Sequence, residues 1–392
     1  MQERNVALHI LYYKRTSIMN DGVERAFERL GFTVDPVSCM RSGSEWDENS
    51  ELAQALDERV AAGPWDVAFS LNFNPQISAF CEQHGIPYIA WMNDSPLYIR
   101  DEDAMRRSCN HLFTFDRGYV ADYLDRGMPF SHMPLAVDTD FFEHAVNTAK
   151  PAEAAGYRTD VAMVGSLYST DYAQITAPLS PQVTELLEQM LKLQQKVSDR
   201  SIFPELLTDA LLARMNGEYA EKGIDFTVDG PGLEFLMLSE VTGRDRKLIP
   251  ALLAKQCEVR VYSKDTLPLP GVLMKSPVDY RTQMPLVFRH SRININATLR
   301  AIRTGIPLRV LDVLGCGGFL ITNAQEEILE HFDEDRELAV YRSIEELPDK
   351  VDWYLRHDTE RQKIAAAGCA RVKRDFTFEG QLKKMFAEIQ GD

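Results

Sequence analysis

Through residues 1–150 short apolar runs alternate with amphipathic stretches. That rhythm predicts strands and helices taking turns in a mostly parallel sheet covered on both faces. Strands are expected at Asn5–Tyr13, Phe32–Val37, Trp65–Asn72, Ile86–Met92, Leu112–Asp116 and Ser131–Val137. Between them, helices are expected from Asn20 or Asp21 to Gly31, over Glu51–Ala62, over Pro75–His84 before Gly85, and over Gly118–Arg126. The small polar run Asn147–Glu153, with its Pro151, reads as a linker, so the chain divides into domains 1–150 and 151–376. The alternation then resumes. Strands are expected at Asp160–Val164, Glu258–Ser263, Gly271–Lys275 and Leu338–Tyr341. One helical pattern runs from Pro181 to Arg214, with Val183, Leu186, Leu187, Met190, Leu193 and Val197 on a stripe read as core packing. Further helices are expected at Arg244–Lys255, Met284–His290, Glu326–His331, Ser343–Arg356, Glu360–Lys373 and Glu379–Ile389.

Ser291–Asn323 breaks this rhythm with polar residues that a plain core would not use. From Arg292 to Thr298, Ile293, Ile295 and Ala297 alternate with Asn294, Asn296 and Thr298, as in a strand with one amide-bearing face. After the turn at Thr304-Gly305, Pro307 opens a short helix whose buried stripe is Leu308, Leu311 and Leu314. Arg309 and Asp312 lie three apart on its other face. Arg309 falls in the first turn, where free N–H groups and the helix dipole favour an anion such as a diphosphate. Asp312 is suited to accept two hydrogen bonds from a ribose diol. Gly315, Gly317 and Gly318 then close the helix and let backbone approach a ligand. The plainer alternative is an Arg–Asp surface pair followed by a glycine cap.

The run R-x-x-D-x-x-G-C-G-G-F-L-I-T-N over residues 309–323 resembles the R-x-x-E-x-x-x-x-G-x-x-L-x-T/S segment of GT-B glycosyltransferases, in particular the spore-maturation (CgeB-type) family, with Asp312 where most relatives carry Glu. W-x-x-D-S-P at 91–96, F-T-F-D at 113–116, P-L-A-V-D at 134–138 and D-V-A-M-V-G-S-L-Y at 160–168 resemble other parts of the same family. The resemblance implies an α/β fold of the GT-B type: two Rossmann-like domains facing each other across a cleft, the terminal helix, within 377–392, crossing back to the first. It implies a metal-independent glycosyltransferase that passes a sugar from a UDP-sugar, held by the C-terminal domain, to a glycan, protein or other cell-surface acceptor met by the N-terminal one. Gly165 and Ser166, in the turn after a strand, become candidates for binding the nucleotide-sugar donor, with Asn294, Asn296, Thr298, Arg309, Asp312, Gly315, Gly317 and Gly318. Asp94, at a strand's carboxyl end, is the candidate base or acceptor orienter, ahead of Asp116. The alternative reading of Asn93, Asp94 and Ser95 is that they form a turn and cap the next helix. A nucleotide-sugar epimerase or hydrolase of the same fold, and a non-catalytic carbohydrate-binding assembly protein, stay open as alternatives.

Composition narrows the field. With 392 residues, 45% hydrophobic and 26% charged, the chain has material for two cores. Its net charge of −16 argues against nucleic acid or an anionic membrane surface as partner. Cys39, Cys81, Cys109, Cys257, Cys316 and Cys369 form no C-x-x-C pair, which fits neither a zinc site nor a disulfide framework and points to reduced, cytoplasmic thiols. No apolar run is long enough to span a bilayer, and no signal segment is evident. Asp138-Thr139-Asp140 is a D-x-D string, read as helix capping and not as a metal site, so no metal cofactor is expected. Hydrolase, zinc-protease, NTPase and dinucleotide signatures are all missing.

Overall fold

In the computed structural model, residues 8–38, 48–59, 63–168, 171–197, 200–265 and 267–390 are described. The expected strand start at Asn5, the helix end at Ala62, Cys39 and the last two residues of the terminal segment lie outside them. Among the described residues twelve strands form two six-stranded sheets, every pairing parallel. Parallel strands must be joined by crossovers that cover both faces, which is why the apolar runs carry few outward polar positions.

The first unit comprises Met1–Thr139, Thr304–Leu311 and Val372–Asp392. Its strands are β1 (His9–Tyr13), β2 (Thr33–Val37), β3 (Val67–Leu71), β4 (Tyr88–Met92), β5 (Asn110–Thr114) and β6 (Phe130–His132), ordered β2-β1-β3-β4-β5-β6. β3 and β4 are buried along their whole length. The expected strand over Ser131–Val137 is shorter, and Val137 instead forms an isolated parallel bridge with Thr377. Past that bridge the terminal helix Phe378–Gln390 packs on the helix Asn20–Leu30. Phe378 lies edge-on to Trp91 with ring centroids 6.1 Å apart, Phe386 meets Phe32 at 5.4 Å, and Arg29 pairs with Glu379 at 2.6 Å. The approach needs a glycine: a Cβ on Gly22 would stand 2.2 Å from the Phe378 ring. The expected return of the last helix to the first half of the chain is therefore present.

The second unit comprises Asp140–Arg303 and Asp312–Arg371. Its strands are β7 (Thr159–Val164), β8 (Val259–Tyr262), β9 (Leu273–Lys275), β10 (Ser291–Asn296), β11 (Leu320–Asn323) and β12 (Ala339–Tyr341), ordered β12-β11-β10-β7-β8-β9. The core joins Val161, Ile293, Ile295 and Ile321 of the strands to Ile249, Val351 and Ile364 of the helices. Three expectations fail here. The stretch read as a linker is helical, over Thr139–Thr148 and Pro151–Gly156. Pro181–Arg214 is broken into three helices, Pro181–Lys196, Phe203–Leu206 and the start of Asp209–Glu221, and on the expected stripe Leu186 and Leu193 are exposed while Val183, Leu187 and Met190 are buried. The helix expected from Arg244 starts much earlier, at Gly230, and runs to Leu253. Among the described residues no helix is long and apolar enough to cross a membrane.

Candidate active site

Ligands of open parallel sheets bind beyond the carboxyl ends of the strands, where the strand order reverses. In the first unit that point lies between β1 and β3. A cavity of about 380 Å³ opens there, lined by Arg15, Thr16, Ser17 and Ile18 after β1, Asn72 after β3, Asn93 and Asp94 after β4, and Leu308. Asn72 organises it. Its backbone is left-handed, with φ 61°, a conformation that asparagine tolerates better than most residues. From there its Oδ1 accepts from the Asn93 backbone N–H at 2.9 Å, and its Nδ2 donates to Asp94 Oδ2 at 2.8 Å. Asn93 Nδ2 in turn donates to Ser17 Oγ at 3.2 Å. Asp94 is exposed. It caps no helix: the next one, Glu102–Met105, is capped by Asp101, whose side chain accepts from the Ala104 N–H. An exposed carboxylate aimed by an amide is able to accept a proton from an incoming hydroxyl.

Asp116, the runner-up, has another task. It is fully buried, and its Oδ1 accepts from the backbone N–H groups of Thr304 at 3.0 Å and Gly305 at 3.1 Å, while its Oδ2 accepts from Ser95 Oγ at 2.7 Å. Gly118 N–H also donates to Thr304 Oγ1 at 2.8 Å. A carboxylate committed to so many donors anchors the turn at Thr304-Gly305 and is not placed to serve as a base. In the D-x-D string, Asp138 is buried and pairs with Arg25 at 2.6 Å and Arg29 at 3.6 Å. Asp138 directly precedes the helix Thr139–Thr148, the position the capping reading gives it, and these ion pairs hold it as well. Among the described residues no three His, Cys, Asp or Glu side chains cluster in a way that could hold a metal ion.

In the second unit the order reverses between β10 and β7. The expected polar side chains of β10 are all buried, and they divide by position. Asn296 and Thr298 sit at the carboxyl edge, where Asn296 Nδ2 donates to Thr298 Oγ1 and Thr322 Oγ1, both at 3.0 Å, and Asn323 Oδ1 accepts from the Thr298 N–H at 2.8 Å. Asn294 lies lower, in register with Leu320 at the start of β11. Its Nδ2 donates to Phe288 O at 3.0 Å and Phe319 O at 3.1 Å. Asn294 therefore ties the chain together below the binding edge, and the expectation that it reaches a ligand is corrected.

The same correction applies to the glycines. The helix Leu308–Gly315 descends from the carboxyl edge, so Gly315, Gly317 and Gly318 stand just before β11, at the opposite edge of the sheet. Gly317, with φ 70°, donates its N–H to Leu314 O, and Gly318 N–H reaches Val313 O, the glycine-terminated helix end that satisfies otherwise orphaned carbonyls. They close the helix as expected, at the edge of the sheet away from the carboxyl ends of the strands. Arg309 is half-buried in the first turn, as expected. Asp312 is 1% exposed, and its Oδ1 accepts from the Tyr280 hydroxyl at 2.8 Å. The surface-pair alternative fails for Asp312, and any ribose contact has to share that carboxylate with Tyr280.

A cavity of about 620 Å³ adjoins the carboxyl ends of β10, β11 and β12. Thr298, Arg300, Asn323 and Arg342 line it, with Lys192 and Lys196 from the helix Pro181–Lys196. Arg300 holds the buried Asp245 at 2.8 Å, and burial raises the Asp245 carboxyl above the ordinary range despite that partner. Arg342 pairs with Glu334 at 2.8 Å. Gly165, with φ 143°, and Ser166 follow β7 as expected, but Ser166 offers its carbonyl to Arg246, a residue that no sequence signal had singled out.

Two parallel six-stranded sheets, ordered β2-β1-β3-β4-β5-β6 and β12-β11-β10-β7-β8-β9, each with a cavity at the carboxyl ends of its strands, make the architecture comparable with solved proteins. Residues 237–387 match the glycosyl transferase-like family. That stretch runs from the long helix through the strands β8–β12 into the terminal helix. No curated protein is similar enough to the chain to match it. Among solved structures, a sucrose-phosphate synthase from Thermosynechococcus elongatus is similar over 98% of this chain and 99% of its own, at 8% identity and a TM-score of 0.56. A glycosyltransferase from Rickettsia africae is similar over 97% of each chain, at 12% identity and a TM-score of 0.53. A UDP-forming α,α-trehalose-phosphate synthase from Burkholderia vietnamiensis covers 98% of this chain and 97% of its own, at 11% identity and a TM-score of 0.50. The fold is GT-B, with two Rossmann-like halves.

Proposed function

We propose that the protein is a glycosyltransferase of the CgeB type, taking a sugar from a UDP-sugar and passing it to a hydroxyl of a glycan, protein or other cell-surface acceptor. The observation that carries this reading is the cavity at the carboxyl ends of β10–β12, rimmed by Lys192, Lys196, Arg300 and Arg342, within a unit most of whose second half matches the glycosyl transferase-like family. Cationic side chains around a strand-end cavity suit an anionic nucleotide despite the protein's net negative charge. The UDP-forming synthase among the similar folds supports the choice of base.

In this reading Arg309 neutralises the diphosphate, Asp312 meets the ribose beside Tyr280, and the turn at Gly165-Ser166 and the edge at Thr298 flank the donor. Asp94 receives the acceptor proton when transfer inverts the anomeric centre and orients the acceptor when it retains it. Developing charge on the departing UDP is met by side chains and a helix N-terminus with no need of a metal. The test is titration with UDP, GDP, ADP and their sugars by calorimetry, followed by an assay for free nucleotide. UDP binding, and UDP released faster when an acceptor is present, are expected; no binding of any nucleotide by the folded protein overturns the reading. A charge-assisted bond contributes about 1.5–3 kcal/mol, so Arg309→Ala should weaken UDP binding roughly tenfold to a hundredfold.

A further inference from the structure

Three residues of the long helix, Thr242, Asp245 and Arg246, fasten the two loops that border the reversal point of the second sheet. Toward the loop after β10, Thr242 Oγ1 accepts from the Arg300 backbone N–H at 2.9 Å, and Asp245 Oδ2 accepts from the Arg300 guanidinium at 2.8 and 3.1 Å. Arg246 then joins both loops. Its Nε and one terminal nitrogen donate to Ala297 O at 2.8 and 2.6 Å, its other terminal nitrogen donates to Ser166 O at 2.8 Å, and its guanidinium lies 4.8 Å from the centre of the Tyr168 ring. Tyr168 itself has a left-handed backbone, φ 48°. The helix comes in so close at Gly243 that a Cβ there would stand 2.6 Å from Tyr168 O and 2.9 Å from Leu167 O.

Ala297 and Ser166 follow β10 and β7, the adjacent strands between which the order reverses. The planar guanidinium is thus a spacer of fixed width between the two loop starts. A lysine, with one point of donation on a flexible stem, has no equivalent span.

We propose that Arg246 is a positioning residue for the donor diphosphate: it sets the separation of the Gly165–Tyr168 and Ala297–Arg300 loops, so that their backbone groups and Arg300 meet the phosphates together. This rests on the glycosyltransferase reading above. Arg246 acts through the loops it holds, and its effect therefore grows with the number of phosphates on the ligand and leaves the nucleoside part alone.

The experiment compares UDP, UMP and uridine binding by calorimetry to the wild-type protein and to Arg246→Met, Arg246→Lys and Thr242→Val, with melting temperatures in parallel. In Arg246→Met, UDP affinity should fall about tenfold or more, the loss expected when a charge-supported arrangement is removed, while uridine affinity changes less than about twofold. Arg246→Lys should recover little of the loss. Equal losses for UDP and uridine mean a merely structural role and overturn the proposal, as does unchanged UDP affinity in a folded variant. If Arg246→Met does not fold, the UDP-to-uridine ratio in Arg246→Lys and Thr242→Val decides in the same way. Wild-type protein that binds no UDP overturns the functional reading and this proposal with it, whereas wild-type binding with indifferent variants overturns the proposal alone.

Discussion

Asn72, Asp94 and Asp116 show how three polar residues at neighbouring strand ends take different parts. Asn72 spends both ends of its amide on the segment after β4, so replacing it with glycine keeps the left-handed backbone and removes only the aiming of Asp94. We expect Asn72→Gly to lower kcat with little change in Tm. Asp94→Asn, if Asp94 is the base, should lose about 10²–10⁴ in turnover while melting normally; a variant that turns over normally would remove Asp94 from the chemistry. Asp116→Ala strands the backbone N–H groups of Thr304 and Gly305, the second of them buried, and should cost roughly 3 kcal/mol of stability, measured as a shift of the urea midpoint at unchanged slope. The sequence showed that these positions were polar and ended strands. It was silent on what each would bond, because the Thr304-Gly305 partner of Asp116 lies nearly 190 positions away along the chain. Asn294 and Asn296 mark the same boundary of legibility: in a strand buried on both faces an amide that staples the core has the same period-two signature as one that meets a ligand.

At the scale of elements, the regular pieces were legible and the irregular entries to them were not. Met284–His290, Pro75–His84 and Glu326–His331 match the periodic pattern residue for residue. The first half of the long helix did not show, because Gly230-Pro231-Gly232 has the composition of a turn. In the structure Asp229 caps that helix by accepting from the Gly232 N–H at 2.7 Å, and Pro231 takes a first-turn position where its missing N–H is harmless. The glycine-rich run at 315–318 closes its helix as expected but stands at the edge of the sheet away from the strands' carboxyl ends, since composition does not say which end of a sheet a loop occupies. Gly243 is the element's most exacting residue. Gly243→Ala forces the helix away from the loop after β7, and overpacking of this kind costs about 1–3 kcal/mol. Its Tm should fall, and UDP affinity should fall with it if the loops move apart; a variant as stable as the parent would show that the helix can yield there.

For the molecule as a whole, the two-sheet plan and the return of the last helix could be read from alternation and from family resemblance, while the division of the chain could not. The expected boundary fell on helical residues, and the segment 304–311 groups with the first unit from within the sequence of the second, whereas 372–392 joins the first unit as the expected return of the terminal helix implies. A prediction about chemistry belongs at this scale too. Because Asp138 is already paired with Arg25 and Arg29, transfer should survive EDTA; a strict requirement for Mg²⁺ or Mn²⁺, lost in Asp138→Asn, would overturn that. Phe378→Ala, which empties the space between Gly22 and Trp91, should cost about 3–5 kcal/mol and be read out in the unfolding of the first unit.

The bridge from Val137 to Thr377 and the helix that follows it also impose an order of assembly. On the ribosome the first unit is begun first, yet it lacks the cover over Phe27, Phe32 and Trp91 until residues 372–392 have emerged. The second unit has all its residues before then and is free to close earlier. The half of the protein made first is therefore the half finished last, and during synthesis its exposed aromatic face is the surface a chaperone would have to shield.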